Sequence, residues 1–224
     1  MSLLLSVVVL VLATCTIWTQ PMRVLKVRTT DGLSLFSTLI RTWAGVAWMS
    51  YGLTQGDMTQ VLVNLQSVAG TALILVGFVA FAQVPMRRQI LCTVVMLGLL
   101  ALLYVVAGRG ALAVAGGVLG FGGVLPQMWK SFREPGGEGI SIASLLFSVS
   151  CSFCWVAFGV VHNDLFVVFN ASFGAFLMIV ILAFTCLGRK SAKASSRSFD
   201  VSVEVDQKIG SAFFPASLLS RASS

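Results

Sequence analysis

The sequence predicts an all-α membrane protein of seven transmembrane helices. They form a 3+1+3 arrangement of two parallel three-helix repeats joined by a linker helix, N-terminus out and C-terminus in. Three observations predict this: a composition too apolar for water, seven long apolar stretches, and an internal duplication. Of 224 residues, 57% are hydrophobic and only 10% are charged. A soluble domain carries about a quarter charged residues, which excludes a water-soluble globule as well as a disordered or collagen-like chain. The net charge of +7 reports orientation in such a chain, and no nucleic-acid partner is expected from it. All five cysteines fall within apolar runs and read as buried thiols.

Crossing a bilayer takes about 20 apolar residues per helix. The qualifying stretches are Ser2–Thr19, Leu33–Thr54, Met58–Ala82, Gln89–Ala107, Ala111–Trp129, Ile140–Val161 and Leu165–Leu187. Short connections make neighbours antiparallel. With the N-terminus outside, the inner loops hold Arg23, Lys26, Arg28, Arg87, Arg88, Lys130 and Arg133, and the tail adds six more basic residues. Arg109 alone falls outside, and Arg41 lies within a span. That asymmetry sets the orientation. The first span lacks a positively charged start and is expected to stay as a membrane helix, not to be removed as a signal peptide. From Gly188 onward the chain turns to Ser, Lys and Arg, the composition of a disordered cytoplasmic tail.

Sliding the chain on itself by 107 residues aligns Gln20 with Gln127, Gly32 with Gly139, Ser34 with Ser141, Trp48 with Trp155, Gly52 with Gly159 and Asp57 with Asp164. One deletion later Asn64 meets Asn170. Generic apolar similarity does not match Trp, Asp and Gln, so a unit has been duplicated. The predicted organisation is residues 1–84 as the first repeat, 85–108 as the linker helix, 109–187 as the second repeat and 188–224 as the tail. An odd linker lets both units keep one orientation. Gly116-x-x-x-Gly120 reads first as close packing within the chain and second as a face for a homo-oligomer.

Leu125-Pro126-Gln127-Met128-Trp129-Lys130 followed by Glu138-Gly139-Ile140-Ser141 resembles the PQ-loop signature. Trp48-x-x-Tyr51-Gly52 with Asn64, and Trp155-x-x-Phe158-Gly159 with Asn170, resemble the SWEET sugar facilitators within that superfamily. The resemblance covers roughly residues 1–187. The first half departs from it in reading Gln20-Pro21, and Ser37 and Ser144 stand where SWEET proteins have proline.

Trp48, Asn64, Trp155 and Asn170 lie five or six residues from the outer ends of their helices. At a rise of about 1.5 Å per residue they share one level, in two symmetry-related pairs. Amides suit hydroxyls, and indole faces suit the C–H side of a sugar ring. The resemblance implies that these positions line the sugar site; packing and helix pinning is the competing account. The same resemblance implies bending at Gln20-Pro21 and Pro126-Gln127, and an outer gate from Tyr51 and Asp164. Proline near the end of a helix also reads as a plain terminator, and Asp57 and Asp164 read as helix caps.

Arg41 lies about 10 Å from the inner end of its span. Snorkelling to the interface explains it; a charge facing the solute path, favouring an anion, is the alternative. No acidic residue lies deep in a span, so passive facilitation is expected over proton coupling. No enzyme motif is present, and the sole histidine, His162, falls in an outer loop. Cys151-x-x-Cys154 within an apolar helix reads as two thiols, so no metal or cofactor is expected. The expected function is a uniporter of a small neutral solute, a mono- or disaccharide, in the plasma membrane. The alternatives are a carrier of an amino acid or carboxylate, and a membrane adaptor or receptor working through its basic tail.

Overall fold

The computed structural model describes residues 2–31, 33–133 and 142–188. They form seven helices: α1 Ser2–Val27, α2 Leu35–Gln55, α3 Met58–Ala82, α4 Met86–Ala107, α5 Arg109–Arg133, α6 Ile142–Val161 and α7 Leu165–Gly188. There is no strand among the described residues. The tail expected from residue 188 lies outside them beyond Gly188.

Local chemistry sets the helix ends. Ser34 caps α2 by accepting from the Ser37 amide, and Asp57 caps α3 by accepting from the Thr59 and Gln60 amides; each such cap contributes about 0.5–2 kcal/mol. Gly56 ends α2 at φ 71°, a left-handed geometry that costs glycine nothing. Pro85 precedes α4, and Gly108 at φ 74° alone separates α4 from α5.

Small residues then let the helices approach. In the first half α3 lies between α1 and α2. Its Gly70 faces Ile17 and Pro21 of α1, and its Gly77 faces Val24, while Gly45 and Gly52 of α2 face Val68 and Gln60 of α3. Gln66 of α3 also accepts from the Thr14 hydroxyl at 2.8 Å and the Trp18 indole at 3.3 Å, pinning α1 to α3. The second half repeats the order. Gly110 and Gly117 of α5 face Phe166 and Asn170 of α7, and Gly159 of α6 faces Val168 of α7. The halves join where α2 packs on α5 and α1 on α6, two contacts that a two-fold operation would exchange. A core of Val9, Ala13, Ala47, Tyr51, Leu112 and Phe158 lies along this seam. The linker α4 packs against α5 and α2 and is largely exposed, as a peripheral lipid-facing helix would be.

The helical count and the symmetric packing agree with the sequence reading; several boundaries do not. α1 does not stop at Thr19 but continues to Val27, so Pro21 is an interior residue and not a terminator. Pro21 is buried against Gly70 of α3, and packing there compensates for the amide that proline cannot offer. α5 runs on to Arg133 past Pro126 in the same way, and α4 starts at Met86, ahead of Gln89. Gly116 serves packing within the chain, because Trp48 fills the space over it, whereas Gly120 faces open space.

Candidate solute site and latch

Trp48 and Asn170 come from different halves and lie against adjacent glycines of α5, Gly116 and Gly117. A Cβ added to Gly116 would stand 2.7 Å from Cδ1 and Nε1 of Trp48, and one added to Gly117 would stand 3.0 Å from Oδ1 of Asn170. Only glycine at both positions lets the indole and the amide settle there. Trp48 is also held edge-on by Tyr51, with ring centroids 5.7 Å apart at 83°. Trp155, the repeat partner of Trp48, packs edge-on against Phe158 at 5.3 Å and joins the core around Val9 and Ala13 of α1. Val9, a member of that core, is offset from Gly116 by 107 residues, so it is the repeat equivalent of the glycine that Trp48 covers. Asn64 is different. Its Nδ2 donates to the Gln60 carbonyl one turn back at 2.8 Å, which leaves its Oδ1 and one N–H for a further partner. All four residues are half-buried.

A polar cluster joins the halves one turn beyond Trp48. The Tyr51 hydroxyl donates to Asp164, lying 3.0 Å from each carboxylate oxygen, and accepts from Gln55 Nε2 at 2.8 Å. Gln60 Nε2 donates to both Asp57 and Asp164, each at 3.3 Å. Asp164 in turn accepts from the Val167 amide at 3.1 Å, which fixes it at the start of α7. Tyr51 and Gln60 are both 1% exposed, while Asp57 and Asp164 are half-buried and Gln55 is exposed, so the cluster stands at the edge of the core. The cluster is one-sided. The repeat partner of Tyr51 is Phe158 and that of Gln60 is Val167, so Asp57 has no hydroxyl to face. Phe158 is fully buried and stacks on His162 at 4.2 Å instead.

The structure brings Tyr51 to Asp164, the two residues that the resemblance implied for an outer gate, and sets Trp48 and Asn170 each against α5. Sequence reasoning missed Gln60 and Gln55. Asp57-x-x-Gln60 has the spacing of a capping box, and that local role hid the reach of Gln60 to Asp164, 104 residues away. Gln20 is exposed at the opposite end of α1 and Pro21 is buried. Pro126 and Gln127 lie inside α5, with side chains outside the described set. Arg41 is exposed, and its Cγ and Nε lie 3.4 and 3.5 Å from the position of a Cβ on Gly123 of α5. Two surface clefts lie elsewhere: about 490 Å³ beside Thr54, Tyr104 and Arg109, and about 260 Å³ between α3 and α4. Cys151 and Cys154 are both free thiols, and no cluster of metal-ligating side chains is present among the described residues.

Comparison with known proteins bears on the fold. Residues 109–192 match the family model MtN3_slv, described as a sugar efflux transporter for intercellular exchange. The whole fold is similar to a solved structure of a eukaryotic SWEET transporter, with a TM-score of 0.64 over 84% of this chain and 98% of that one, at 15% identity. This is the SWEET fold. No curated protein sequence matches the chain. The SWEET-type resemblance read from the motifs is therefore met twice, by the family match over the second repeat and by the fold of the whole. Both comparisons are with transporters, and neither is with an enzyme.

Proposed function

We propose that the chain is a facilitative sugar transporter that binds a mono- or disaccharide between its two three-helix units, residues 1–84 and 109–187, and rocks them to alternate access. The observation that carries this reading is the placement of Trp48 and Asn170, one from each half, against the adjacent Gly116 and Gly117 of α5. An indole face and an amide from opposite halves give a sugar one apolar and one hydrogen-bonding wall. They also make binding depend on how the halves stand to one another. Trp155 and Asn64 supply the second pair.

The Tyr51–Asp164 cluster joins the halves at one end, so this conformation is closed there and exchange takes place through the other. The excess of basic residues in alternate loops supports assigning the closed end to the outside, with the C-terminus in the cytoplasm and the plasma membrane as the site of action. Pro21 and Pro126 interrupt the amide ladder in equivalent helices and are suited to absorb the bending. Intrinsic tryptophan fluorescence of the purified protein tests the site. Glucose or sucrose should quench the wild type, and Trp48→Phe and Asn170→Ala should each remove the response. A response that persists in both variants places the sugar elsewhere.

A further inference from the structure

Trp48 and Arg41 are seven residues apart on α2, and the glycines they meet on α5, Gly116 and Gly123, are also seven apart. Seven residues are two helical turns, so the two side chains stand on one stripe of α2, about 10.5 Å apart along the axis. Arg41 therefore crosses to α5 as Trp48 does. A snorkelling arginine would run along its own helix to the interface and would not lie beside the register partner of its own position. Its surroundings are also unusual. The side chain is exposed although it stands inside a span. Among the described residues no carboxylate pairs with it, and no hydrogen bond is made to it. An ionised guanidinium facing acyl chains at this depth is costly, so a polar path along α5 would favour it over a lipid-facing one. The two-fold partner of Arg41 is Ser148, and that of Gly123 is Thr16, so the equivalent stripe carries hydroxyls and no second charge.

We infer that Arg41 is a substrate-selecting residue, and that the passage takes sugars bearing one carboxylate, of the uronic or aldonic acid class, in preference to neutral ones. This rests on the sugar-transport reading and narrows it. The guanidinium fork fits a carboxylate in two parallel hydrogen bonds, two turns from the indole and amide that would hold the ring. The uncompensated charge also repels cations from the path.

Counterflow of labelled glucuronate and glucose in proteoliposomes tests the inference, using the full chain and its Arg41→Gln and Arg41→Lys variants. The wild type should move glucuronate faster than glucose. Arg41→Gln should shift the flux ratio toward glucose by about tenfold or more, the loss expected of a charge-assisted pair. Arg41→Lys, which keeps the charge and loses the fork, should fall between. An inside-positive potential should speed glucuronate entry and leave glucose entry unchanged, because only the anion carries charge. Wild type that moves glucose and excludes glucuronate overturns the inference and leaves the sugar reading intact. A flux ratio unchanged by Arg41→Gln in monodisperse protein overturns it as well, and movement of neither solute overturns both.

Discussion

Replacing Tyr51 by Phe removes one hydroxyl and copies into the first repeat what the second already has in Phe158. The aromatic packing against Trp48 and Phe166 remains, since the fully buried Phe158 shows that the ring alone fits such a place. What is lost is a hydrogen bond to a carboxylate, 3.0 Å from both of its oxygens, and the acceptor for Gln55. Hydrogen bonds to charged groups contribute about 1.5–3 kcal/mol. Asp164 keeps the Gln60 and Val167 donors, so the effect lies toward the lower figure. With the bond present in the closed state and absent in the open one, the closed:open ratio falls about tenfold or somewhat more. Hydrogen exchange in lipid nanodiscs reads this as faster exchange in peptides covering residues 51–61 and 159–168, with the far ends of α1 and α4 unchanged. Unaltered exchange in both segments would refute the claim that this bond holds the end shut.

Other perturbations follow from the same geometry. Gln60→Glu sets a third carboxyl against Asp57 and Asp164. The like charges raise its pKa, so the cluster is closed while that carboxyl is protonated and opens as pH rises through the raised value; exchange at residues 51–61 that does not change with pH contradicts this. Gly116→Ala drives a methyl into the Trp48 indole at 2.7 Å and should lower stability by about 1–3 kcal/mol and abolish sugar quenching. Gly123→Ala, at an ordinary 3.4 Å from Arg41, should leave the melting temperature nearly unchanged; equal thermal shifts for the two glycines would contradict the packing described. Removing residues 189–224 should leave solute flux in proteoliposomes intact, whereas a tail-dependent adaptor would lose its partner.

Much of the fold was legible because a bilayer imposes its own length on apolar segments. Duplication supplied the rest, since matched Trp48/Trp155 and Asp57/Asp164 in one register define the repeat without coordinates. Helix ends were less legible. Pro21 reads as a stop because proline lacks an amide, and only the fit of its ring against Gly70 of α3 shows why α1 continues to Val27. The site was half legible. Level along the membrane follows from residue counting, which set Trp48, Asn64, Trp155 and Asn170 at one depth, whereas Tyr51 and Asp164 were named together only by the resemblance. Which face they occupy depends on glycines such as Gly116 and Gly117, whose only mark in the sequence is the lack of a side chain. Gln60 was hidden because a capping spacing accounts for it locally. Asn64 was read as lining the solute site or pinning helices, and one of its two amide N–H groups bonds within α3.

The most direct test of the account is counterflow of labelled sugar in proteoliposomes containing the purified chain, alone and with Asn170→Ala. The account predicts exchange driven by unlabelled sugar on the opposite side, abolished when the Asn170 amide is removed. Folded wild-type protein that exchanges no sugar, neutral or acidic, would contradict it.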